Sequence, residues 1–122
     1  MSYNYENEFG KFDPIVDSQI ISYPNFDSIR DAIDGRKKLE FFYDGYLRKD
    51  VEPHLLGLSS KSNILLRCWQ DAGQSRSGKV PEWKLFNLRK INSLRENGRI
   101  FSQARPEYNP NDRHMKRIYA RI

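Results

Sequence analysis

The chain has 122 residues, 38% of them apolar and 13% aromatic, enough for one domain with a modest packed core and too apolar for a chain disordered throughout. Its 21 Lys and Arg against 16 Asp and Glu give a formal charge of +5. That charge is uneven: residues 1–35 hold two basic and seven acidic side chains, while residues 36–122 hold 19 basic and nine acidic, a surplus of +10. Such a surplus suits either plain solubility or a polyanionic partner. Cys68 is the single cysteine, which excludes an internal disulfide, a cysteine-pair zinc site and an iron–sulfur cluster. No apolar run approaches the roughly 18 residues of a membrane span, and the acidic, aromatic start MSYNYENEF is unlike a signal peptide. A cytoplasmic protein with no membrane partner is expected.

Residues 1–22 read as an arm in which Tyr3, Tyr5, Phe9 and Phe12 alternate irregularly with polar groups before Pro14. Its coherent stretch, residues 15–21, suits either an edge strand or a loose tail. From Tyr23 the signals become regular. Asp27 and Ser28 supply helix-start chemistry, Phe26, Ile29 and Ile33 share one face, and Gly35 is a stop, so the spacing predicts a short amphipathic helix over 27–34. Residues 38–43 are rich in strand formers and lead into Asp44-Gly45, a strong two-residue hairpin signal. The return strand runs over 51–58, where Pro53 requires a sheet edge or a bulge.

A turn at 59–63 and a near-continuous apolar third strand over 64–69 follow. Residues 70–81 form a polar Gly/Ser loop, 82–86 alternate as a strand, and 87–94 suggest a short turn or helix before Ile100 and Phe101. One helix followed by short hairpin-linked strands points to a mainly β fold, a small β-barrel. In residues 105–122, Met115, Ile118, Tyr119 and Ile122 fall at helical spacing, with Arg113, Lys116, Arg117 and Arg121 on other faces. The spacing predicts a C-terminal basic amphipathic helix that docks on the barrel, contacts a second copy as a homodimer, or reaches nucleic acid. The organisation expected is an arm (1–22), a barrel domain (23–104) and a tail (105–122).

The chemistry motifs are few. Gly73 to Val80 fits G-x-x-x-x-G-K but ends in Val where a P-loop needs Ser or Thr, and Pro81 and a strand follow where it needs a helix. Arg76 and Lys79 remain candidate phosphate contacts from an exposed loop. His54, His114 and Cys68 lie apart, without metal-ligand or nucleophile spacing, so no metal, no cofactor and no enzymatic role are expected. Arg67 and Trp69 share a strand face, as do Lys84 and Phe86, opposite Trp83 and Leu85. Interleaved aromatic and basic side chains suit stacking of unpaired bases; Trp69 and Trp83 equally suit the filling of a small core.

In the order of these elements, and in the strings Ile29-Arg30-Asp31-Ala32-Ile33, Leu39-Glu40-Phe41-Phe42-Tyr43, Lys49-Asp50-Val51-Glu52-Pro53-His54, Ile64-Leu65-Leu66 and Trp83-Lys84-Leu85-Phe86-Asn87-Leu88-Arg89-Lys90-Ile91, residues 29–101 resemble a WYL domain. The resemblance implies an Sm-like, SH3-type five-stranded barrel preceded by a helix, and a ligand-sensing module of the kind found in bacterial transcription regulators, often of DNA-damage or phage-defence systems; some accessory proteins of RNA-guided nucleases use such domains to bind single-stranded RNA. It implies that Lys49, His54 and Lys90 stand at ligand-facing positions. Ile64-Leu65-Leu66 replaces the naming Trp-Tyr-Leu, so Leu65 brings no hydroxyl to a ligand, while Arg67 and Arg89 restore positive charge. The length leaves no room for a helix-turn-helix, so a separate DNA-binding or effector protein is a further expected partner. The expected interface for single-stranded nucleic acid or a nucleotide-like ligand is Lys49, His54, Arg67, Trp69, Lys84, Arg89 and Lys90. The alternative is a protein-interaction subunit using the arm and the terminal helix.

Overall fold

The structure is a computed structural model and describes residues 23–122; the arm and its 15–21 stretch lie outside the described residues. Helix α1 (Phe26–Gly35) forms where the apolar spacing places it and buries Phe26, Ile29, Ala32 and Ile33. It ends as Arg36 turns left-handed (φ 50°) and donates its N–H back to the last carbonyls. Strand β1 (Lys37–Tyr43) and strand β2 (Tyr46–Leu58) are joined through Asp44 and Gly45, at φ 55° and 79°. Two successive positive φ values are what a type I′ hairpin turn requires, and Asp-Gly tolerates them.

Strand β2 is the spine of the sheet. Along one edge it pairs with strand β3 (Ile64–Gly73) from Arg48 to Leu58. Its other edge changes partner midway: up to Val51 it pairs with β1, and from Leu55 to Leu58 with a terminal strand, β6 (Arg117–Arg121). The change falls on Glu52-Pro53-His54, where Pro53 has no N–H to donate and the β2–β3 register slips. Strand β4 (Glu82–Asn87) continues the sheet beyond β3, a 3₁₀ turn over Leu88–Lys90 follows, and strand β5 (Asn92–Ile100) pairs with the far edge of β1.

The order β4-β3-β2-β1-β5 is an open antiparallel sheet, with β6 added on β2. The mainly β class is as expected; the closed five-stranded barrel is not what forms. No ladder joins β4 to β5 among the described residues, and α1 packs on one face of the sheet, placing Phe26, Ile29 and Ile33 in the core with Leu39, Phe41, Leu66 and Phe86.

The expected C-terminal helix is also corrected. Residues 117–121 are the strand β6, with Ile118, Tyr119 and Ala120 buried in succession. Tyr119 packs edge-on against Phe26 under the sheet, while Ile118 joins Met115, Leu55 and the partly buried Leu65, Leu85 and Tyr108 in a second core on the outer face. A strand covered on both faces shows no alternation, and its apolar run then reads equally well as helix. The homodimer through a terminal helix loses its surface, since those apolar side chains are spent within the fold. Among the described residues no helix is long and apolar enough to cross a membrane.

Candidate functional site

The outer face of the β3–β4 pair carries the site. The two-residue period of β3 sends Ile64, Leu66, Cys68 and Gln70 into the core and leaves Leu65, Arg67, Trp69 and Asp71 half-buried on the other side. Register sets Trp69 opposite Trp83 and Arg67 opposite Leu85. The two indoles meet edge to face, 5.6 Å between centroids and 81° between planes, a favoured aromatic geometry. Residues 105–116 then run over this face. Trp83 Nε1 donates to Pro106 O (3.1 Å), the Tyr108 ring lies nearly parallel to Trp83 at 6.2 Å, and the Arg105 guanidinium sits 5.5 Å over Trp69.

Two buried carboxylates and the half-buried Tyr108 pin that segment. Glu52, 1% exposed, accepts a two-pronged pair from Arg105 (2.7 and 2.8 Å) and lies 3.1 Å from Lys38 Nζ. Burial alone would raise its pKa, but the hydrogen bonds from Arg105 and Lys38 outweigh that and hold it below the ordinary value. Asp112 accepts from Arg67 Nε at 2.7 Å and from the His114 backbone N–H at 3.0 Å, which likewise lowers its pKa against the pull of burial. Tyr108, its pKa pushed up to about 12 by burial, places its hydroxyl 3.3 Å from the carbonyl oxygens of His54 and Ile122.

The segment leaves two adjoining clefts. The first, about 410 Å³, is lined by Trp83 and Tyr108 with Arg67, Arg113 and His114, and by two acids, Glu107 and Asp112, of which Asp112 is paired with Arg67. The second, about 400 Å³, is lined by the 59–63 turn with Lys61, and by Leu65, Arg113, His114, Met115 and Lys116, without an acidic side chain. Arg113 and His114 border both. The result is one run, aromatic at one end and cationic at the other. His114 Nδ1 lies 3.1 Å from Arg67 Nη2 and 3.2 Å from Asp112 Oδ1, so its tautomer decides which of the two it bonds.

Of the residues expected in the interface, the structure brings Arg67 and Trp69 together on this face. Lys84 is on the opposite face, aligned with Cys68 and Phe86 and ion-paired to Glu82 at 2.9 Å. Lys49 is exposed on β2 opposite Ala72. Arg89 and Lys90 are exposed on the 3₁₀ turn, where the Arg89 guanidinium lies 4.2 Å over the Tyr23 ring. Arg76 and Lys79 are exposed in the loop before β4, Arg76 3.8 Å from Asp44.

His54 is wholly buried, stacked on Phe101 and edge-on to Trp83 and Tyr108. Its Nε2 accepts from the Arg105 N–H (3.1 Å), so its Nδ1 carries the proton and donates to Glu52 O (2.8 Å). Both ring nitrogens are spent, and the ring presents no atom to a ligand. Cys68 is fully buried, and burial drives its thiol pKa upward.

Spacing puts Arg113 and Lys116 on the basic side of a terminal helix with nucleic acid among its options; Lys61, Tyr108 and His114 carry no signal, because nothing local joins a turn to the tail. Among the described residues no group of three His, Cys, Asp or Glu is placed to hold a metal. No family model, curated protein or solved structure matches this chain.

Proposed function

We propose that this protein is a WYL-like binding module that takes single-stranded nucleic acid along the aromatic–cationic run on the outer face of β3 and β4. The observation that carries the reading is the convergence of Trp83 and Tyr108 with Arg113, Lys61 and Lys116 along two clefts that share a border. The clefts fall in the size range of small-molecule sites, and an unpaired base can stack where a paired one presents no free face. Phosphates would then follow the cationic end.

The charge balance supports this. The described residues hold 20 basic and 12 acidic side chains, and ten of the acids sit in ion pairs, leaving Asp34 and Glu107 outside them. The uncompensated charge is therefore cationic, and part of it lines the second cleft. The resemblance of residues 29–101 to WYL domains points the same way. Among the described residues the exposed large apolar side chains, Phe42 and Ile100, pair near opposite ends of β1 and form no patch together; the arm on which the protein-docking alternative rests lies outside the described residues.

A salt series against single-stranded and duplex oligonucleotides tests the reading. Each phosphate contact on a single strand contributes about 0.7 to the slope of log K against log salt, so the triple variant Lys61→Ala/Arg113→Ala/Lys116→Ala should lose about 2 from that slope. Trp83→Ala should cost about 1–3 kcal/mol of affinity through lost stacking. Absence of oligonucleotide binding at low salt, or a slope unchanged in the triple variant, overturns the reading.

A further inference from the structure

We propose that the acidic N-terminal segment, residues 1–22, occupies the aromatic–cationic cleft when no nucleic acid is bound and competes with it for the site. This rests on the nucleic-acid reading and adds its regulation.

The chemistry of the two partners is complementary. Residues 1–22 carry Glu6, Glu8, Asp13 and Asp17 against one basic side chain, Lys11, and the second cleft offers Lys61, Arg113 and Lys116 with no acid among its lining residues. Interspersed with those carboxylates are Tyr3, Tyr5, Phe9 and Phe12, flat rings able to stack on Trp83 and Tyr108 as bases do. The segment thus repeats the two features of a single strand, negative charge alternating with aromatic planes.

The tether allows it. The described chain begins at Tyr23, whose hydroxyl accepts from Arg89 Nε at 3.2 Å. From there 22 residues span about 70 Å when extended, while a domain of roughly 100 residues has a radius of gyration of about 13 Å. Every point of the surface is within reach. A segment so tethered is present at an effective concentration of about 1 mM, so an arm–cleft dissociation constant of even ~0.1 mM weakens the apparent affinity for nucleic acid about tenfold.

The test uses the full chain and two variants of its arm. Glu6→Gln/Glu8→Gln/Asp13→Asn/Asp17→Asn removes the charge, and Tyr3→Ser/Tyr5→Ser/Phe9→Ser/Phe12→Ser removes the rings while keeping the net charge. Trp69 and Trp83 are the two tryptophans of the chain, so their indole N–H resonances report on the site without any ligand. Both variants should bind single-stranded dT and rU 12-mers about tenfold tighter than the parent at low salt, the gap should narrow at high salt, and both should shift the Trp83 resonance. Tightening in the charge variant alone would be a bulk electrostatic effect and overturns the proposal. Equal affinity with coincident indole resonances overturns it too, while leaving nucleic-acid binding in place. If no chain binds either oligomer, the binding reading itself fails, and an arm-dependent shift of the indole signals then shows that the segment docks without such a competitor.

Discussion

Glu52→Gln removes the negative charge that holds the 101–106 segment against β2. The carboxylate is 1% exposed, and the two cations facing it differ: the Lys38 side chain is 10% exposed and Arg105 35%. Breaking a buried pair from one side costs about 3–5 kcal/mol, because the surviving charge is left in low dielectric. Arg105 is exposed enough to find water and is already near Asp71, so the lower end, about 3 kcal/mol, is expected. At about 2.1 cal/mol/K per residue over roughly 100 folded residues, that lowers Tm by about 14 °C. Thermal unfolding followed by circular dichroism at pH 7 measures it. The companion variant Lys38→Met/Glu52→Gln should recover much of the loss, since no unpaired ammonium is then buried. Because Glu52 has a folded-state pKa below its ordinary 4.5, its contribution is complete above about pH 4.5 and is lost as the pH falls through the folded value. The parent should thus lose stability on acidification more steeply than Glu52→Gln. A loss below about 1 kcal/mol in the single variant, or a double variant no better than the single, refutes the reasoning.

Three further outcomes follow from the same geometry. Burial holds His54 below its ordinary 6.5, against the hydrogen bond to Glu52 O, so the neutral ring stabilises the fold fully above about pH 6.5 and this part is lost on acidification. His54→Phe should flatten melting temperature against pH below about 6.5, while costing about 2–3 kcal/mol at pH 7 through the orphaned Arg105 N–H and Glu52 carbonyl. A Cβ at Gly57 would lie 2.5 Å from Arg117 O and 2.9 Å from Met115 Sδ; Gly57→Ala should cost about 1–3 kcal/mol and speed amide exchange in β6 first. The Cys68 thiol, fully buried with its pKa raised, should react with a disulfide reagent only at the rate of unfolding, which a reaction rate independent of denaturant would contradict.

What was legible beforehand was local. The face of α1, the Asp44-Gly45 turn, the irregularity at Pro53 and the shared face of Arg67 and Trp69 each follow from spacing or from the backbone chemistry of one residue. Strand β5 escaped notice because it is an edge with most of its side chains exposed, so it carries no apolar period. His54 beside Pro53 gave no sign of burial; its hydrogen-bond partner at Nε2 is the N–H of Arg105, 51 residues away.

The sequence by itself determined a mainly β chain, its first hairpin and the separation of an acidic arm from a basic body, since these depend on composition and on neighbours along the chain. Tertiary structure decided the rest. It made 117–121 a strand, because the Leu55–Leu58 edge left open after Pro53 offered a ladder that local helical spacing could not foresee. That same pairing lays 105–116 over β3 and β4, bringing Arg113 and Lys116 to the border of the turn that holds Lys61. A period along the chain tells which side chains share a face; which distant segment comes to lie against that face is set by burial and pairing across the whole fold.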